Sequence, residues 1–192
     1  MKTYCGLLLI TVAALACAQA PQSAKKAAPA QKTMAAAPVS ATFQPGTVTG
    51  SFTVNGKKAV FKCAYAFVQQ GSFHSERDNV YVILSDAPVT EAMLAEDFGL
   101  SKQAENGKLH AIRIEFDDKM QPGMGDLYHD GFKEMSAMSS QGPHEFVSSS
   151  SDSNKIAGRL FVKPQTSDAD HWQYSAEFSA PLNPKLKAMA KQ

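Results

Sequence analysis

Between residues 43 and 183, apolar and polar positions alternate with a period of two, the repeat of a half-buried β-strand. Thr47 to Val54 places Val48, Phe52 and Val54 on one side and Thr or Ser on the other. Asn55-Gly56 follows, and because both residues tolerate positive φ a tight hairpin is expected there. The return segment, Lys57 to Val68, puts Phe61, Cys63, Tyr65 and Phe67 on one face and small Ala residues on the other, so it reads as one continuous, central strand. Further strands are expected over the apolar run Asn79–Leu84 and over Leu109–Phe116, where Ile112, Ile114 and Phe116 oppose Arg113 and Glu115. Ile156, Leu160 and Val162 share a face opposite Arg159 and Lys163. In the last strand Trp172, Tyr174, Ala176 and Phe178 face inward. Weaker alternation marks 126–132 and 144–148. One helix is expected, capped by Thr90, running from Glu91 to Asp97 and ended by Gly99. The fold class is therefore mainly β: an antiparallel β-sandwich or small β-barrel of about eight strands with one short helix.

The segments outside this domain have a different character. Met1-Lys2 is a short positive start, Gly6 to Leu15 an apolar core, and Ala16-Cys17-Ala18 a small-x-small cleavage site, so residues 1–18 read as a signal peptide. Lipidation at Cys17 is the alternative to cleavage after Ala18, although Leu15 stands two positions before Cys17 rather than three. Residues 19–42 are Ala-rich, interrupted by Pro21, Pro29 and Pro38, with Lys25, Lys26 and Lys32 as the only charges, which describes a flexible linker. Residues 184–192 form a basic tail. The localisation expected is export to the periplasm or beyond, with a membrane-anchored lipoprotein as the alternative.

The net charge of +1 conceals an uneven distribution. The domain carries 18 Asp and Glu against 12 Lys and Arg, a balance of −6, while linker and tail each carry +3. With 44% hydrophobic residues the chain is too apolar to be wholly disordered, and its near-neutral total argues against nucleic-acid binding. No second apolar run reaches transmembrane length, so membrane contact is expected only through a lipid anchor. Once Cys5 and Cys17 leave with the signal or are acylated, Cys63 stands alone, without a disulfide partner or a neighbouring base, and reads as a small core hydrophobe.

Candidate chemistry is sparse. The histidines His74, His110, His129, His144 and His171 form no His-x-His or His-Glu-x-x-His pattern. His110 shares the apolar face of its strand and reads as a core residue, His171 as solvent-facing and His74 as part of a polar loop. No Gly-x-Ser-x-Gly elbow is present, and Ser148–Ser151 with Ser153 read as a turn. The paired acids Asp117-Asp118 and Asp168/Asp170 lack the separation that glycosidase chemistry needs, and Asp126 with Asp130 is too sparse for calcium. No catalytic residue is nominated and no cofactor is expected. The unusual stretch is 120–138, where Met120, Met124, Met135 and Met138 surround His129. Thioethers with imidazole suit Cu(I), so this loop is the alternative metal site, against Met as packing or surface decoration.

The exported N-terminus, the Ala/Pro spacer, the strand–Val54-Asn55-Gly56-Lys57–strand opening, Ala64-Tyr65-Ala66, the Gly158-Arg159-Leu160 strand and the closing aromatic strand resemble secreted bacterial β-domain proteins of unassigned function. The resemblance implies a bacterial envelope setting and no activity. The function expected is a non-catalytic binding or accessory domain of the cell envelope, its partner an envelope protein or a small ligand. Soft-metal binding through 120–138 is the first alternative and an enzyme without a recognisable motif the second.

Overall fold

The computed structural model describes residues 43–71, 77–167 and 170–183; the signal, linker, His74 and basic tail lie outside them. In chain order the elements are β1 (Thr47–Val54), β2 (Lys57–Val60), β3 (Cys63–Gln70), β4 (Asp78–Ser85), α1 (Glu91–Ala95), α2 (Gly99–Glu105) and β5 (Ala111–Phe116). They are followed by β6 (Pro122–Tyr128), β7 (Ala137–Gln141), β8 (Glu145–Ser148), β9 (Lys155–Ser167) and β10 (Asp170–Asn183). Among the described residues ten strands therefore replace the eight expected, with β7 rising out of the Met-rich segment.

The strands form one open, mixed sheet that doubles over at β10. One layer runs β2-β1-β10-β9-β8 and the other β3-β4-β5-β6-β7. The end of β10 joins them: after pairing antiparallel with β1 and β9, it meets β3 in parallel at Leu182↔Ala66 and Asn183↔Phe67. Sandwich-like layering is thus correct. A closed barrel and a purely antiparallel sheet are not, because β2 and β8 end one layer and β7 the other, and β10 meets β3 in parallel.

The alternating pattern explains the packing. Phe52, Val54, Trp172, Tyr174, Ala176 and Phe178 from one layer meet Val82, Leu84, Ile112, Ile114, Phe116 and Leu127 from the other in a common core. At about 25 cal/mol for each Å² of apolar surface removed from water, this face is the main source of stability. The opposite face of β3 and β4 offers Tyr65, Phe67, Tyr81 and Ile83, which Leu100 and Ala104 of α2 cover. That second buried face explains why β3 and β4 are apolar on both sides.

Two local expectations change. Lys57–Val68 is two strands, not one: at Phe61-Lys62 the chain leaves the β1 layer and enters the β4 layer, with Lys62 N–H donating to the Ser85 carbonyl at 2.7 Å. Phe61 consequently packs in the inter-layer core, while Tyr65, Phe67 and half-buried Cys63 face the helix side. The described residues also form two helices. Thr90 caps α1 as expected, its hydroxyl accepting from Met93 N–H at 3.2 Å, but Gly99 opens α2. A Cβ on Gly99 would lie 2.3 Å from the Met93 carbonyl oxygen, so this glycine permits close helix approach rather than a helix stop.

Among the described residues no helix is long and apolar enough to cross a membrane.

Candidate functional site

At one end of the sandwich the chain brings together residues far apart in sequence. Asp86 follows β4, His110 precedes β5, His129 and Asp130 follow β6, and Lys57 begins β2. His110 lies between two carboxylates, with Nδ1 2.6 Å from Asp86 Oδ2 and Nε2 2.9 Å from Asp130 Oδ1. The other Asp130 oxygen takes an ion pair from Lys57. His129 Nδ1 lies 3.4 Å from the same Asp130 Oδ1, and the two imidazole centroids are 4.3 Å apart.

His129 closes the cluster from below. Its side chain is fully buried, with the ring set edge-to-face against Phe52 at 5.0 Å. Gly131 N–H donates to Nδ1 at 2.9 Å, which assigns the ring proton to Nε2, a buried atom without a hydrogen-bond partner among the described residues. Burial first, then the neighbouring His110, hold this imidazole down to about 4, well below its ordinary 6.5. Burial alone would raise Asp130, but hydrogen bonds from Lys57 and His110 outweigh it and hold the carboxyl below its usual range.

The loop carrying His129 and Asp130 is tied from outside. Asn55 donates its side-chain amide to the Gly131 carbonyl at 3.0 Å and to Asp170 Oδ1 at 2.6 Å, while its Oδ1 accepts His171 N–H at 2.9 Å. Gly131 is needed for this approach, since a Cβ there would stand 2.9 Å from both His129 Nδ1 and the Val54 carbonyl oxygen. The β1–β2 hairpin thus fixes the site as well as the strand register.

The structure separates the methionines grouped by the sequence. Met120 and Met138 are half-buried against the inter-layer core, Met124 is half-buried on β6 where it pairs with Gln141, and Met135 is exposed. Met138 pairs with Leu127 on the inner face, whereas the alternation of β6 sets Met124 with Tyr128 on the helix side. His129 is instead gathered with His110, Asp130 and Asp86. His110 is not a plain core residue, because it lies before β5 among charged groups with its side chain 15% exposed. No local motif marked it, because the sequence pattern placed His110 and Asp130 within strands, whereas in the structure β5 begins after His110 and β6 ends before His129 and Asp130.

The remaining singled-out residues serve turns or lie elsewhere. Asp117 Oδ1 accepts the Lys119 and Gln121 amides, and Asp126 accepts from Ser139. Ser148 and Ser151 bond each other. His171 is exposed, and buried His144 meets Tyr174 Oη at 2.7 Å. Cys17 lies outside the described residues.

A second feature is a shallow groove on the outer face of β1, β10, β9 and β8. Thr47, Thr49, Ser148, Ser149, Ser150 and Ser179 supply hydroxyls along it, beside Arg159, Phe161 and Glu177. The Arg159 guanidinium sits 4.9 Å over the Phe161 ring. No protein family, characterised relative or solved structure matches the chain.

Proposed function

We propose that the chain is an exported, non-catalytic binding domain of the bacterial cell envelope, with the outer face of β1, β10, β9 and β8 contacting the glycan of the cell wall. The supporting observation is the groove on that face. Its lining sets six hydroxyl side chains, one cation and one carboxylate among apolar Val48, Val147, Phe161 and Phe178, a mixture that suits a sugar polymer, which presents hydroxyls and apolar ring faces together. The lining of the groove contains neither imidazole nor thiol, which favours binding over turnover on that face.

Sedimentation of the full chain, produced in a bacterium, with purified cell-wall sacculi tests the reading. The wild type is expected to pellet with the sacculi, and Arg159→Ala/Phe161→Ala to stay largely in the supernatant. Wild type in the supernatant, or equal pelleting of both, overturns the glycan assignment, and crosslinking to an envelope protein would replace it. Hydrolysis of wall fragments that disappears in His110→Ala overturns the non-catalytic reading. Intact-mass analysis tests export: a chain beginning at Gln19, or at an acylated Cys17, is expected, and retention of residues 1–18 overturns it.

A further inference from the structure

The cluster at the sandwich end has the donor set and spacing of a metal site. We infer that His110 Nε2, His129 Nδ1 and Asp130 Oδ1 bind a divalent first-row transition ion of the zinc class. The three residues offer one ligand atom each, all within 4.8 Å of one another. Two separations are directly given: 2.9 Å from Asp130 Oδ1 to His110 Nε2 and 3.4 Å from the same oxygen to His129 Nδ1. Donors held at about 2.0–2.2 Å around a tetrahedral ion stand roughly 3.3–3.5 Å apart, so small displacements suffice to admit one.

Independent features make this a built site rather than a chance meeting of polar side chains. Asp86 holds His110 through Nδ1 at 2.6 Å, which leaves Nε2 directed at Asp130. A carboxylate on the far nitrogen of a ligating imidazole is the usual outer support of a metal-bound histidine. His129 is fully buried at the floor, and the loop that carries it is pinned through Asn55 and Asp170. Asp130 is 23% exposed, so the rim is open to solvent, and a water can take the fourth position.

The chemistry of the donors selects the ion. Two imidazoles and one carboxylate suit Zn²⁺ or Co²⁺, whereas Ca²⁺ and Mg²⁺ prefer oxygen-only cages. Cu(I) would want the thioethers, which lie outside this triad. Asp86 and Asp130 bring two carboxylates against Lys57 and the proton that His110 shares with Asp130, and the ion takes the place of that proton. Ion binding requires Gly131 N–H to release Nδ1 and the His110–Asp130 contact to open, with the proton between His110 Nε2 and Asp130 Oδ1 leaving to solvent as the ion enters. Both are adjustments within one loop.

The test uses the full, untagged chain. Equilibrium dialysis against micromolar Zn²⁺ and titration with Co²⁺ should each give one ion per chain, with visible d–d absorption for Co²⁺. Asp130→Asn and His110→Ala should abolish the band while retaining the wild-type circular dichroism spectrum. Asp86→Asn should weaken affinity by about 10–100-fold with the stoichiometry unchanged. His129→Ala opens the core, so its loss of binding counts only if its spectrum stays native. Absence of stoichiometric uptake by folded wild type overturns the inference, as does uptake unaltered in both Asp130→Asn and His110→Ala.

Discussion

Asp86 holds His110 twice: Oδ1 accepts the His110 backbone N–H at 2.7 Å, and Oδ2 meets the imidazole Nδ1 at 2.6 Å. One carboxylate therefore fixes both the entry of β5 and the rotamer of its leading side chain, with Asp86 N–H returning a bond to the His110 carbonyl at 3.0 Å. The long α1–α2 excursion between β4 and β5 is closed at its base by these two residues.

Replacing Asp86 separates the two contacts. Asp86→Ala leaves a backbone donor and a ring nitrogen without their acceptor, and should lower stability by about 1–3 kcal/mol. Asp86→Asn can keep the backbone contact and should lose less. Urea unfolding followed by tryptophan fluorescence measures both, and equal midpoints for wild type and Asp86→Ala would contradict the assigned role.

The buried imidazoles set the acid response. His129 titrates at about 4 in the folded chain against an ordinary 6.5, and burial also lowers His144, opposed by its contact with the Ser140 carbonyl. Below pH about 6.5 the unfolded chain takes up these protons first, so stability is fully present above that value and falls as pH drops toward 4. His129 alone accounts for about 3 kcal/mol over this window. Asp130, held below its ordinary value, extends the loss to lower pH in the same direction. Urea midpoints should therefore fall between neutral pH and pH about 4, more shallowly in His129→Asn than in wild type. A midpoint that is flat or rises with acid would contradict this linkage.

Strands whose two faces meet different surroundings were legible in the sequence. Thr47–Val54 and the aromatic run from Trp172 alternate because one side meets the inter-layer core and the other meets solvent. The hairpin was legible too, since Asn55 and Gly56 adopt φ 49° and 82° as a tight turn requires. The break at Phe61-Lys62 was not, because Ala64 and Ala66 take the core face while Tyr65 and Phe67 are equally buried against the helices. A strand buried on both sides has no polar phase from which to read a crossing. The site was hidden for another reason: its members sit on separate strand ends, and only the sheet order places β4, β5 and β6 side by side. The methionines drew attention through local density, which says nothing about the face each one takes.

The connection from β7 back to the other layer rests on His144. Its Nε2 faces the Ser140 carbonyl at 3.3 Å, which assigns the proton there and leaves Nδ1 to accept the Tyr174 hydroxyl at 2.7 Å. Tyr174→Phe removes that donor from a buried acceptor and should destabilise the fold by about 1–3 kcal/mol. In a double-mutant cycle with His144→Phe, the two losses should be clearly non-additive. Additive losses in thermal melts would show that the pair does not act as a unit.

Asn55 joins turn geometry to site geometry, and two substitutions separate these roles. Its φ of 49° is unfavourable for most side chains, while its amide supports the Gly131 carbonyl, Asp170 and His171 N–H. Asn55→Gly keeps the turn accessible but removes all three side-chain bonds; Asn55→Ala removes them and adds backbone strain. Asn55→Gly should cost about 1–3 kcal/mol, Asn55→Ala about 1 kcal/mol more. The further consequence concerns the site. Without its amide anchor the 129–133 loop should open more often, and the Gly131 amide should exchange with deuterium faster in both variants. The amides of β4 should keep their wild-type rates, since the Asn55 hydrogen bonds go to Gly131, Asp170 and His171. Gly131 exchange unchanged in Asn55→Gly would mean that the loop is held by the His129 and Asp130 contacts alone, and the hairpin would then contribute to register without positioning the site.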